Sequence, residues 1–137
     1  MSLVLDASLA LAWYFPDETT PATEAVLDRV VEAGAVVPAL WRLELANGLL
    51  VAVRRRRISA AYRNASLADL AQMQIETDPE TDVHAWSVSL RLAEMHELSL
   101  YDAAYLELAQ RRRLPLATLD QGLRRAAEQL GLMLLGL

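Results

Sequence analysis

The stretch LVLDAS, residues Leu3 to Ser8, sets three apolar strand formers before an aspartate, with a small residue and a serine behind it. An apolar run with no polar alternation reads as a short strand buried on both faces, the pattern of a parallel sheet covered by helices. The next segment, ASLALAWYF, is helical in character until Pro16 closes it. A strand leading straight into a helix is the first half of a βαβ unit, and the rest of the chain keeps alternating. TPATEAVLDRVVEAG spaces Ala22, Ala25, Val26, Val30 and Ala33 as one helix face and stops at Gly34, and AVVP is a second strand. A helix runs from Leu40 to about Val53, and another opens behind Ser59 as its N-cap. MQIET reads as a third strand, TDVHAWSVSLRLAEMHE and SLYDAAYLELAQRRR as two helices divided near Leu98, and LPLAT as a fourth strand. DQGLRRAAEQLG is a short helix ended by Gly131, and LMLLGL a last strand. The expected fold is α/β, a three-layer sandwich around a mostly parallel central sheet of about five strands. No linker, repeat or low-complexity tract divides residues 1–137, so one domain is expected.

A chain of 137 residues buries roughly two-thirds of its unfolded surface, so it needs no disulfide or structural metal to fold. Cysteine is absent, no leader is visible, and no apolar stretch is long enough to cross a bilayer, which makes the cytoplasm the expected compartment. With 54% hydrophobic residues the surface is expected to keep apolar area for a partner or a second copy. The net charge of −5 argues against coating nucleic acid with the whole surface. Every basic residue is arginine, so chemistry that requires a lysine, such as a Schiff base or a phosphate-loop lysine, is excluded.

Four acids stand in unusual places. Asp6 ends the first strand, and Asp120 follows the fourth strand two residues past Thr118, so both belong to the carboxyl rim where parallel sheets bind ligands. Glu44 lies among Leu40, Trp41, Asn47 and Gly48 on its helix, and Asp102 among Leu98, Ser99, Tyr105 and Leu106. A carboxylate on an apolar face needs a partner or a cation. Four carboxylates from four segments suit a hard cation, Mg²⁺ or Mn²⁺, which would relieve their mutual repulsion. Ser8, Asn47 and Thr118 each lie two or three residues from one of these acids and are placed to orient a carboxylate or hold water. Each acid also has a plain structural reading. Asp6 or Asp120 can cap the helix that follows, Glu44 can pair with Arg42 or another arginine, and Asp102 can cap a helix beginning near Tyr101.

LVLDAS, LELANGL, LSLYDAAYLELA and LATLD, in that order, resemble the PIN domain and more narrowly the VapC toxins of type II toxin–antitoxin pairs. The likeness runs the length of the chain; each motif is weakly specific, but the ordered set is strong. It implies a metal-dependent endoribonuclease that hydrolyses RNA phosphodiester bonds with metal-activated water. It also implies a homodimer held in check by a cognate VapB-like antitoxin. Asp6, Glu44, Asp102 and Asp120 match the family's acids, Asn47 its helix asparagine, and Ser8 and Thr118 its small hydroxyl positions. Gln121, Gly122 and Leu123 depart from the acid or aromatic that many members carry after the last aspartate. A second metal is then expected to bind weakly or only with substrate.

Arg54, Arg55, Arg56 and Arg57, and Arg111 and Arg112 in the later run, fall at helix ends. Cations favour such ends through the helix dipole, and arginine also forks onto phosphate, so both a solvated terminus and an RNA grip fit. Trp13, Trp41, Trp86, Tyr14 and Phe15 fit core or interface packing, or base stacking. His84 and His96 have no zinc spacing. Aspartate-nucleophile phosphatases expect a second aspartate two residues on, where Ser8 stands, and a lysine. A dinucleotide fold expects GxGxxG after the first strand, which is missing. The remaining alternative is a non-catalytic PIN-like module that binds protein or RNA.

Overall fold

The computed structural model describes residues 2–137. Five short strands form one sheet: β1 (Val4–Leu5), β2 (Ala35–Val37), β3 (Ile75–Thr77), β4 (Leu116–Ala117) and β5 (Leu134–Leu135). Their order is β3-β2-β1-β4-β5, and every pairing is parallel. β1, β2 and β4 are wholly buried, which is why they read as unbroken apolar runs.

The chain winds from β1 outward to β3, returns across the sheet to β4, and ends at β5. The reversal makes a topological switch point between β1 and β4, the place at which open parallel sheets form a ligand crevice at their strand ends. Helices of the first half pack together: α1 (Ala7–Ala12) against α2 (Pro21–Ala33) and α3 (Trp41–Arg54), and α3 against α4 (Ala60–Ala71). Helices of the second half form the other layer. There α5 (Thr81–His84) and α6 (Val88–His96) pack on α7 (Leu100–Arg112), which touches α8 (Gln121–Gln129). The three expected layers are all present.

Local chemistry fixes the ends. Thr20 caps α2 in a reciprocal box with Thr23 and Pro21 starts the helix, while Ser59 accepts from the amide of Tyr62 to cap α4. α3 approaches α1 so closely that a Cβ on Gly48 would lie 2.6 Å from Leu11 Cδ1. The expected single helix from Thr81 to Glu97 is broken at Ala85–Ser87. Val83 and Trp86 are 68% and 91% exposed, so no core contact holds that turn helical.

Between β3 and α7 lies a buried ion network. The Asp78 carboxylate is fully buried and accepts from Arg111 at 2.6 and 3.2 Å and from Arg112 at 2.9 Å. Arg111 also donates to Glu107, which is itself buried. Burial alone would raise the Asp78 pKa, but the two guanidiniums hold it below the ordinary carboxylate value. Among the described residues, no helix is long and apolar enough to cross a membrane.

Candidate active site

The register of β1 against β4 builds the first half of the site. Val4 lies beside Leu116 and Leu5 beside Ala117, and the next step places Asp6 beside Thr118. The Asp6 amide continues the ladder onto the carbonyl of Ala117. Thr118 and Ser8 then both donate their hydroxyls to Asp6 Oδ2, at 2.7 and 2.6 Å, leaving Oδ1 without a side-chain donor. Asp6 stands at the N-cap of α1 but makes no side-chain capping bond. Its carboxylate is 5% exposed and engaged with hydroxyls, so the capping reading fails for this residue.

Asp120 does cap. Its Oδ2 accepts from the amide of Leu123 at 2.8 Å, at the start of α8, and its own amide donates to Thr118 Oγ1. Thr118 therefore links the two rim acids. The hydroxyl of Ser8 accepts from the amide of Leu119, a second tie between β1 and the β4 end. Arg124 holds the same corner from behind by donating to the carbonyls of Thr118 and Leu135.

The other two acids come from the opposing helical layers. Glu44 sits in the first turn of α3, half-buried, and Asp102 in the first turn of α7. Ser99, not Asp102, caps α7, accepting from the Asp102 amide. No arginine meets Glu44; its Oε1 accepts the hydroxyl of Tyr105 at 2.5 Å. Tyr105 is fully buried one turn beyond Asp102, so one helix supplies an acid and the clamp for another. Burial, with the charges of Asp6 and Glu44 and the bond to Glu44, keeps its phenol protonated far above neutral pH.

Electrostatics tie the four acids together. Burial pushes the Asp6 pKa up; the hydroxyls of Ser8 and Thr118 oppose this, and the charge of Asp120 adds to it. Burial also raises Glu44, helped by Asp6 and Asp102 and opposed by the Tyr105 hydroxyl. Asp102 is raised by burial, then by the charges of Asp120 and Asp6. Asp6, Glu44 and Asp102 thus each sense the charge of at least one other acid. Among the described residues, no three acidic or histidine side chains already stand as a ligating group. Asp6, Glu44 and Asp120 each rest one oxygen on a hydroxyl or amide. All available donors are carboxylate oxygens, the set that suits Mg²⁺ or Mn²⁺, and like charges so placed favour a cation between them.

Asn47 lies one turn beyond Glu44 on α3 and is exposed. The arginine runs divide. Arg111 and Arg112 direct their guanidiniums inward to Asp78, so the sequence expectation that they reach RNA meets a structural use for both. Arg57 pairs with Asp17 and Glu18 and stacks over Phe15 at 4.0 Å, whereas Arg54, Arg55 and Arg56 are exposed and make no ion pair among the described residues. Sequence reasoning missed the clamp of Tyr105 and the brace of Arg124. For Tyr105 the signal was its place three residues after Asp102 on an apolar helix.

Among known families, the PIN domain model matches residues 3–129. The chain belongs to the PIN-domain family. Ribonuclease VapC3 of Pyrobaculum aerophilum is 31% identical over 127 residues, covering 90% of this chain and 92% of the relative. In three dimensions the PIN domain is similar to PAE2754 from Pyrobaculum aerophilum, with a TM-score of 0.70 at 24% identity, over 98% of this chain and 83% of that one. VapBC2 from Rickettsia felis, solved bound to a DNA fragment from their promoter, gives 0.65 at 12% identity over 98% and 97%. FitAcB from Neisseria gonorrhoeae gives 0.61 at 20% identity over 98% and 96%. At these identities the three structures establish the fold of this PIN domain, and VapC3 places it among VapC-like members.

Proposed function

We propose that this PIN domain is a divalent-metal-dependent endoribonuclease that acts in the cytoplasm as the toxin of a toxin–antitoxin pair. The observation that carries the reading is the gathering of Asp6, Glu44, Asp102 and Asp120, from four elements, around the crevice at the β1–β4 switch point. Asp6, Glu44 and Asp102 form the core set for Mg²⁺ or Mn²⁺, with Asp120 as the fourth acid. A cation held there supplies Lewis acidity to phosphoryl oxygens and a nucleophilic water at neutral pH.

The protein's own residues do the positioning. Ser8 and Thr118 fix one oxygen of Asp6, and Tyr105 fixes one oxygen of Glu44, which leaves the other oxygen of each carboxylate without a side-chain donor. Asn47 is placed to bind water or an RNA oxygen. Arg54, Arg55 and Arg56 lie about 15 Å along α3 from Glu44 and serve as contacts to the RNA backbone. RNA as substrate is supported by the likeness to a protein named ribonuclease VapC3, and a VapB-like antitoxin as partner by the likeness to VapBC2. A homodimer is part of the same proposal.

The test is to map new 5′ ends in total cellular RNA incubated with the protein and Mg²⁺ or Mn²⁺, beside an EDTA control and Asp102→Asn. Discrete cuts that vanish in both controls are expected. Identical ends in all three samples, from folded protein free of antitoxin, would replace the reading with a non-catalytic PIN-like module.

A further inference from the structure

Thr118 ties the two rim acids together through one side chain. It is fully buried, its hydroxyl gives its proton to Asp6 Oδ2 at 2.7 Å, and the same oxygen accepts the amide of Asp120 at 3.0 Å. A hydroxyl has one proton to donate, so with Asp6 receiving it the group is fixed in direction. A shift of the Thr118 backbone would therefore move the partner of Asp6 and the turn that leads into Asp120. That backbone stands where the ladder between β4 and β5 ends. The Thr118 amide reaches the Leu135 carbonyl at 3.3 Å, long for such a bond, and β5 is a two-residue edge strand paired with β4 alone.

Arg124 reinforces this end. One nitrogen, Nη1, donates to the Thr118 carbonyl at 2.7 Å and to the Leu135 carbonyl at 3.0 Å, so it bridges the two strands. Hydrogen bonds from a charged donor are roughly twice as strong as neutral ones. Helical side chains lean toward the helix start, which carries the guanidinium of Arg124 back over the first turn of α8 to Thr118. The helix dipole disfavours a cation at that end, so the helix itself gives no reason for an arginine there. Arg124 forms no ion pair among the described residues. The charges that shift Asp6, Glu44 and Asp102 are those of other acids in the set. What Arg124 does is hold backbone, not neutralise carboxylates.

We propose that Arg124 is a positioning residue of the acid site: by joining the ends of β4 and β5 it sets where Thr118 holds Asp6 and Asp120 for a divalent cation. The proposal rests on the reading of the acids as a cation site and adds to it a residue that acts only through Thr118.

Mn²⁺ affinity is measured by calorimetry, at a temperature where circular dichroism shows each protein folded, together with kcat and KM on an RNA that wild type cleaves. Wild type is compared with Arg124→Met, Arg124→Gln, Arg124→Lys, Thr118→Val and the double variant of Thr118→Val with Arg124→Met. Arg124→Met keeps the apolar stem and removes the donor. It is expected to weaken Mn²⁺ binding about 10-fold and to lower kcat with KM for RNA near the wild-type value. Arg124→Lys, with a donor one bond shorter, recovers part of the loss. Because the effect passes through Thr118, the double variant is expected to bind Mn²⁺ little worse than Thr118→Val alone, whereas independent losses would multiply. Wild-type affinity in Arg124→Met overturns the proposal, and so do losses that multiply; if Arg124→Met does not fold, Arg124→Gln decides in its place. A lower melting temperature with unchanged affinity would make Arg124 a brace of the fold alone, which also overturns it. Absence of Mn²⁺ binding in wild type would remove the cation site itself, and the proposal with it.

Discussion

Tyr105 lies wholly inside α7, and its hydroxyl reaches across the crevice to hold Glu44 of the opposite layer. Removing that hydroxyl leaves the ring's packing intact and frees a carboxylate that has to be ordered again when a cation binds. Tyr105→Phe is expected to weaken Mn²⁺ binding about 10-fold, the lower end for a group that orients a ligand, with little change in thermal stability. Isothermal titration calorimetry measures the affinity, and equal affinity in the variant and wild type would deny Tyr105 the orienting role. Thr118→Val acts on Asp6 in the same way but also takes away an acceptor for the Asp120 amide, so its loss of affinity is expected to be larger. Asp6 and Asp120 show why single residues mislead when read alone. Asp6 directly follows β1, Asp120 lies three residues past β4, and both precede a helix, yet only Asp120 uses its carboxylate as a cap.

At the scale of elements, α3 against α1 and β3 against α7 are the two contacts most open to test. Gly48→Val would force its side chain into Leu11 and is expected to destabilise the fold by about 1–3 kcal/mol, read from urea unfolding. An unchanged midpoint would show that α1 yields. Asp78→Ala strands two partly buried guanidiniums and is expected to lose about 3 kcal/mol. Because Asp78 has its pKa lowered by folding, its contribution is present above the unfolded value and is lost as pH falls through the folded one. Urea unfolding at about pH 5 and about pH 3, either side of the ordinary aspartate value, should thus cost wild type more stability than Asp78→Asn. The alternation of elements was legible because buried parallel strands are short and uniformly apolar, as in LVL and AVV. Helix ends were less so. α6 and α7 stop at Glu97 and Arg113, non-glycine residues at φ of 54° and 56°, which carry no glycine signal. The Asp78 network was invisible because it joins residues 33 and 34 apart, and no local pattern marks such a pair.

For the whole molecule, Glu44 and Asp102 stood out in the sequence because charge lay on apolar helix faces, Asp6 and Asp120 because they followed strands, and the sheet order sets the ends of β1 and β4 side by side. The proposed cation site makes stability depend on metal. At a hundredfold excess over Kd, Mn²⁺ should stabilise the native state by about 2.7 kcal/mol, and Asp6→Asn should lose most of that gain in a thermal melt. A variant that kept the full shift would remove Asp6 from the site. The three free arginines after α3 belong to this scale too, since their effect on RNA is long-ranged. Replacing Arg54, Arg55 and Arg56 by Gln should lower the slope of log affinity against log salt by about 2, at ~0.7 per phosphate contact on a single strand. An unchanged slope would leave them as a solvated helix end.

The central place of β1 has a consequence in time. Asp6 is made well before the threonine that orients it, which arrives 112 residues later. At about 5–20 residues per second the wait is roughly 6–20 s. A nascent chain halted after Gln110 has Asp6, Glu44 and Asp102 but neither β4 nor the crevice beside it, so it should be unable to cut RNA. On the proposed reading, a protein whose activity endangers its own synthesis stays harmless until β4 has been made.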